Sequence, residues 1–211
     1  HHLAVIAAGS WGTTLAQLFG EKGWPVRLWV REPEVYEELC RDRVNHTFLP
    51  EVRLSARISF TRNLAEALQD VPVVVMAVPS HGFRQVLQAL KGQWPPERVL
   101  LSAAKGVEID SRLTMEGVVR EELGAAALYA ALSGPSFARE VARREPTAVT
   151  IASRRRDVAL RLQKIFSAPY FRVYTSNDVT GVELGGALKN IFAIGAGILE
   201  GMGMGHNPRA A

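Results

Sequence analysis

The sequence predicts an α/β fold: a doubly wound parallel sheet over residues 1–177, followed over 178–211 by the start of an all-α second domain that is cut short. Three observations carry this expectation. Short apolar runs of strand length alternate with longer segments of helical spacing, which implies parallel strands joined by helices that cover both faces of a sheet. The first run enters a turn of small residues and leaves it as a helix. From Asp178 onward the strands stop and a glycine-rich apolar helix takes over.

Leu3-Ala4-Val5-Ile6 reads as the first strand, and Leu15, Leu18 and Phe19 mark the apolar face of the helix after it. A turn of this kind aims free backbone N–H groups and the positive end of a helix at one point, where a pyrophosphate can sit. The dinucleotide fingerprint is Gly-x-Gly-x-x-Gly; Gly9 and Gly12 take its second and third glycine positions, and Ala7 stands at the first. Strand before and helix after favour dinucleotide binding over a merely structural turn. Because Ala7 ends a strand, a negative φ is expected there.

Val26–Val30 reads as a second strand and Glu34–Asp42 as a helix, completing a β-α-β unit. Further strands are expected at Val73–Ala77, Val99–Ser102, Leu128–Ser133 and Ala148–Ala152, with Phe171–Thr175 as a last edge strand. Asn63 and Ser80 are candidate helix N-caps, as is Ser136 for a helix through Arg143, and Pro95-Pro96 marks a loop. The final helix is expected to run from Asp178 to about Gly201. Glycines then break it, and Asn207-Pro208 announces a new helix as N-cap and first helical residue. The chain stops soon after, so a second domain is expected that is not whole.

A chain of 211 residues can bury a substantial core. Its 25 Lys and Arg against 21 Asp and Glu are dispersed, apart from Arg143-Arg144 and Arg154-Arg155-Arg156, which read as solvated faces. The balance fits a small anionic ligand better than a nucleic acid. Cys40 stands alone, which excludes an intrachain disulfide, offers no zinc spacing and points to a reducing compartment; its expected role is packing. His1-His2 reads as a tag remnant with no signal peptide before it, so the expected location is cytoplasmic. No metal site is expected. Residues 180–199 are long enough to cross a bilayer, but Glu183 and Lys189 would be costly in lipid, so no membrane span is expected.

Gly181 to Asn190 places one lysine, Lys189, among small and apolar residues. Either it snorkels to water from a packed helix, or it is buried with a lowered pKa that suits it to acid–base work.

Taken in order, Gly9-Ser10-Trp11-Gly12, Ala77-Val78-Pro79-Ser80, Ala103-Ala104-Lys105-Gly106, Leu132-Ser133-Gly134-Pro135-Ser136-Phe137-Ala138 and Gly185-Gly186-Ala187-Leu188-Lys189-Asn190 resemble NAD(P)-dependent glycerol-3-phosphate dehydrogenase of the bacterial type. The resemblance covers essentially the whole chain, and its last two motifs are the specific ones. It implies a Rossmann-type fold and an oxidoreductase that interconverts dihydroxyacetone phosphate and sn-glycerol 3-phosphate, feeding phospholipid synthesis in lipid metabolism. It implies Lys189 as the catalytic lysine, which also contacts substrate, and Lys105 as a contact to both substrate and cofactor. Gly134 and Ser136 would be substrate contacts. Gly9, Ser10, Trp11, Gly12, Arg31, Phe48 and Ala138 would be cofactor contacts. Small phosphorylated substrates and a homodimer are the expected partners.

Arg31 is informative by itself. An NAD-selective fold usually carries an acid about 20 residues after the glycines, whereas an arginine there accepts a 2′-phosphate. NADP(H) is therefore favoured over NAD(H), with Glu32 beside it blurring the signal. The family's helical domain also supplies an aspartate and an arginine that nothing in these 211 residues matches. The competing readings are a related hydroxyacid or 6-phosphogluconate dehydrogenase, against which Leu132–Ser136 argues, and a non-catalytic nucleotide-binding module.

Overall fold

The computed structural model describes residues 2–210, the side chain of Gln93 apart. The chain runs β1 (Leu3–Ile6), α1 (Ser10–Glu21), β2 (Val26–Trp29), α2 (Pro33–Asp42), β3 (Val44–Asn45), β4 (Leu49–Arg53), β5 (Ile58–Thr61), α3 (Leu64–Leu68), β6 (Val73–Met76), α4 (Ser80–Leu90) and β7 (Val99–Ser102). It continues through α5 (Met115–Leu123), β8 (Leu128–Ser133), α6 (Ala138–Ala142), β9 (Thr147–Ala152), α7 (Arg156–Phe166), β10 (Phe171–Ser176), α8 (Val179–Gly201) and α9 (His206–Ala210).

Eight strands form one sheet in the order β10-β9-β8-β7-β6-β1-β2-β5. Alternate residues of a strand point to opposite faces, so Leu3 and Val5 enter one core layer and Ala4 and Ile6 the other. The first layer is closed by α1, α2 and α7, through Phe19, Leu39 and Phe166 among others. The second is closed by α3, α4 and α5, through Leu68, Phe83 and Val118. All four residues of β1, β6 and β7 are buried, which is why these strands read as unbroken apolar runs.

The sheet departs from the all-parallel expectation at one edge. β9 pairs antiparallel with β8, and β10 runs parallel to β9. The connection from β8 to β9 carries the short α6, which is tied to α1 through Ala138 and does not cross the sheet, so β9 folds back beside β8. The β3–β4 hairpin and β5 went unread in the sequence: β3 is two residues long, β4 is largely exposed and contains Pro50, and β5 is an edge strand.

Several local expectations are corrected. Ala7 has φ +93°, not a negative value. It lies just past the strand, where the chain must reverse to start α1. Its carbonyl faces Gly12, where an added Cβ would come within 1.9 Å of that oxygen. Asn63 does cap α3, accepting from the N–H groups of Ala65 and Glu66, but Ser80 is the first residue of α4, with Pro79 as its cap. Ser136 precedes the α6 cap, Phe137, and its hydroxyl turns to the carbonyl of Gly134. Asn207 and Pro208 lie inside α9, which starts at His206. Cys40 is exposed on the outer face of α2 and packs in no core.

By length and composition α8 could cross a membrane. Its first turns nevertheless pack on the sheet: Val179 is buried in the second core layer and Gly186 is buried too. Beyond Gly186 the helix is mostly open, with Ile191 and Phe192 exposed.

Candidate functional site

The strand order reverses between β1 and β6, and a cavity of about 560 Å³ opens there, beyond the carboxyl ends of both strands. Gly9, Ser10, Trp11 and Gly12 form one wall and Ala77, Val78 and Pro79 another, with Arg31 and Phe48 at the side toward β2. α1 opens on Gly9 with no side-chain cap and no acidic residue in its first turn, so its positive end faces the cavity unneutralised. A Cβ on Gly9 would meet nothing within 4 Å, which leaves the turn open on that side.

The turn is braced from behind. Buried Asn45 donates through Nδ2 to the Ala8 carbonyl and to Thr13 Oγ1, each at 2.8 Å, and its Oδ1 accepts from the Phe48 N–H at 3.0 Å. One amide thus ties the hairpin that carries Phe48 to the glycine turn. Sequence reasoning missed Asn45, and also missed Trp29, His81 and Gln85 in the cavity wall. Arg31 is exposed, and its guanidinium pairs with the Glu32 carboxylate at 2.7 Å. Ala138 lies on α6, where its carbonyl accepts from Thr14 Oγ1 at 3.1 Å; it braces α1 rather than lining the cavity.

A second hollow of about 390 Å³ lies where β8 ends against α8, lined by Ser133, Gly134, Pro135, Gly186 and Lys189 among others. Lys105, at the end of β7, donates to the Gly134 carbonyl at 3.0 Å and lies 3.4 Å from Ser136 Oγ. Burial, and then the ammonium of Lys189, push the Lys105 ammonium below the usual lysine range. Gly134 has φ +149°, and a Cβ there would come within 2.9 Å of the Ala148 carbonyl, so only glycine fits. The segment after Lys105 is held by Arg84, which binds Glu108, Glu121 and Glu122; beside that guanidinium the Glu108 carboxyl drops to about 2.

Of the two readings of Lys189 the structure has the exposed one, and its ammonium donates to Asn190 Oδ1 at 2.6 Å. It lines the second hollow from the α8 side. Lys105, Gly134, Ser136 and Lys189 therefore converge on one rim, while the glycine turn, Arg31 and Phe48 surround the neighbouring cavity. Among the described residues no cluster of metal-ligating side chains occurs.

A doubly wound sheet with an open helix N-terminus at its switch point defines a Rossmann-type dinucleotide-binding fold. The model of the NAD-dependent glycerol-3-phosphate dehydrogenase N-terminus matches residues 2–159, and that of the C-terminus of the same family matches 178–211. The chain belongs to the NAD-dependent glycerol-3-phosphate dehydrogenase family. It is 50% identical over 211 residues to the glycerol-3-phosphate dehydrogenase [NAD(P)+] of Geobacter metallireducens and 49% identical to that of Citrifermentans bemidjiense. In each case 99% of this chain is matched and it spans 63% of the relative's length. The glycerol-3-phosphate dehydrogenase of Coxiella burnetii superposes with a TM-score of 0.90 at 36% identity, covering all of this chain and 64% of that one.

Proposed function

We propose that this chain is the cofactor-binding part, and one wall of the substrate site, of an NAD(P)-dependent glycerol-3-phosphate dehydrogenase. The reaction is the interconversion of dihydroxyacetone phosphate and sn-glycerol 3-phosphate, which feeds glycerophospholipid synthesis. Residues 1–177 hold the cofactor and 178–211 begin the helical substrate domain. The observation that carries the reading is the convergence of Lys105, Gly134, Ser136 and Lys189 one strand away from the switch-point cavity.

The cavity fits a dinucleotide. The uncapped start of α1 and the open side of Gly9 suit a pyrophosphate, and Arg31 suits a 2′-phosphate, which favours NADP(H) over NAD(H). Ser10, Trp11, Gly12 and Phe48 complete that wall, and Ala138 holds the far loop against α1. The bound nicotinamide supplies or accepts the hydride.

Two ammonium groups at one rim, Lys189 lining the second hollow and Lys105 beside it on the Gly134 carbonyl, suit a phosphate ester, and they also suit the negative charge that develops on a ketone oxygen as it is reduced. Lys105 is oriented by the Gly134 carbonyl and Ser136 hydroxyl, leaving donor capacity for substrate. Lys189 gives a proton to the ketone oxygen in reduction and takes it from the alcohol in reverse. The exposed lone thiol of Cys40 accords with a reducing, cytoplasmic setting, and the expected assembly is a homodimer.

The test is oxidation of NADPH and of NADH by the full-length protein on addition of dihydroxyacetone phosphate. Turnover with that ketone is expected, and faster with NADPH. Cofactor binding without turnover would overturn the proposal.

A further inference from the structure

Glu183 has no part in the chemistry above, yet it is only 8% exposed on a helix that is otherwise largely open. Its Oε1 accepts from the Glu116 N–H in the first turn of α5 at 3.0 Å and from the Tyr129 hydroxyl of β8 at 2.5 Å. Its Oε2 is buried without a hydrogen bond of normal geometry, although the carboxyl also feels the Thr114 hydroxyl. The charged groups about it are Glu116 on α5 and, beyond that, Arg154 from the turn before α7, which pairs with Glu116 at 2.6 Å. Burial raises the Glu183 carboxyl above the usual range.

A half-satisfied carboxyl is a costly way to fill space, since an apolar side chain would pack there without a desolvation penalty. What it adds is direction. Apolar contact lets a helix roll or slide, whereas two hydrogen bonds to different elements fix both its rotation and its height. Gly186, one turn further, touches the sheet so closely that a Cβ would come within 2.6 Å of Ser133 Oγ. Lys189 follows at the same spacing, so Glu183, Gly186 and Lys189 climb α8 in steps of three residues, each turning about 60° round the axis, and Lys189 emerges beside the face by which Glu183 and Gly186 are held.

We propose that Glu183 is a positioning residue: clamped between Tyr129 and the first turn of α5, it sets the seat of α8 on the sheet and thereby the placement of Lys189 opposite Lys105, Gly134 and Ser136. The proposal rests on the reading of Lys189 as the proton-transferring group.

The experiment compares Tyr129→Phe, Glu183→Ala and Glu183→Gln in the full-length enzyme. A displacement of about 1 Å costs on the order of a hundredfold in rate, so Tyr129→Phe and Glu183→Ala are expected to lower kcat by about tenfold to a hundredfold. KM and NADPH affinity should stay within a few-fold. Glu183→Gln keeps an acceptor for both donors and should recover most of the rate. Loss of melting temperature with kcat per folded molecule unchanged, or a glutamine no better than alanine, would overturn the proposal.

A second measurement does not depend on turnover. In the parent enzyme, replacing the Lys189 charge with Lys189→Met should raise the Lys105 pKa, followed by NMR of isotopically labelled lysine side chains, because the two ammonium groups oppose each other. In a Glu183→Ala background the same replacement should shift Lys105 by a different amount, because the spacing of the two ammonium groups changes with the seat of α8. If dihydroxyacetone phosphate is not turned over, the proposed function fails while this cycle still decides the role of Glu183; a coupling unchanged by Glu183→Ala sinks it.

Discussion

Around the glycine turn the anchors come from three elements: Asn45 of β3 and Thr13 of α1 both bind the Ala8 carbonyl, and Thr14 of α1 reaches across to Ala138 of α6. On the α8 wall, the lysine that faces the second hollow is exposed and donates to its own chain neighbour, Asn190. The first region is shaped by buried hydrogen bonds within the sheet domain, and the second by how one helix is seated. Cofactor affinity should therefore be insensitive to changes on α8, whereas turnover should depend on them strongly.

The sharpest way to break that comparison is Lys189→Ala. Loss of a general acid–base group costs about 10²–10⁴-fold, and that loss is expected in kcat with NADPH affinity within a few-fold. A matching loss of cofactor affinity, measured by titration, would show that the two walls are not independent. Lys105 lies between them, so Lys105→Ala should raise the KM for dihydroxyacetone phosphate and weaken the cofactor together, by about tenfold to a hundredfold in kcat/KM. Its ammonium is depressed by burial and by Lys189, so substrate affinity should be lost as pH rises through that lowered pKa, earlier than for an ordinary lysine. A KM profile against pH checks the sign.

Asn45→Ala tests the other side. It leaves the Phe48 N–H without its acceptor and the Ala8 carbonyl with Thr13 Oγ1 alone, at about 1–3 kcal/mol of stability, and cofactor affinity should fall with no separate effect on the bound-state rate. Arg31→Asp should move the ratio of kcat/KM for NADPH over NADH toward NADH by about tenfold. An unchanged ratio would mean that another residue reads the ribose. The smallest effect is expected from Ala7→Gly. At φ +93° alanine is strained, so glycine should stabilise by about 1 kcal/mol, raising Tm by about 2–4 °C. A lower Tm would refute the strain.

The interior strands were legible because burial on both faces leaves a continuous apolar signature: Val99–Ser102 and Leu128–Ser133 coincide with β7 and β8. α8 was legible from its small-residue run. The hairpin was not, because its exposed residues and Pro50 carry no periodicity. Nor was Asn45, whose partner Ala8 is 37 residues away and leaves no local mark. The positive φ of Ala7 belongs to the path that the chain must take, and its side chain does not announce it. Lys105 and Lys189 stand out by their motifs, but the exposure of Lys189 follows from what covers α8, which no spacing along the helix encodes.

The reversed edge of the sheet has a consequence for the route of the chain. Ser176, at the end of β10, pairs with Ala152, which lies opposite Ala131, so β10 delivers the chain toward the edge where β8 begins. α8 then travels back across the sheet, passing Tyr129 near one edge and Ser133 at the other, and carries Lys189 to the rim where the β7 and β8 loops open. Had β9 and β10 been parallel to the rest, the same helix would have set out from that rim and taken its lysine to the opposite side of the molecule. Two strands laid against the grain act as a turnaround, and each residue inserted or deleted between Glu183 and Lys189 would move the lysine along that return path by about 1.5 Å and a third of a turn.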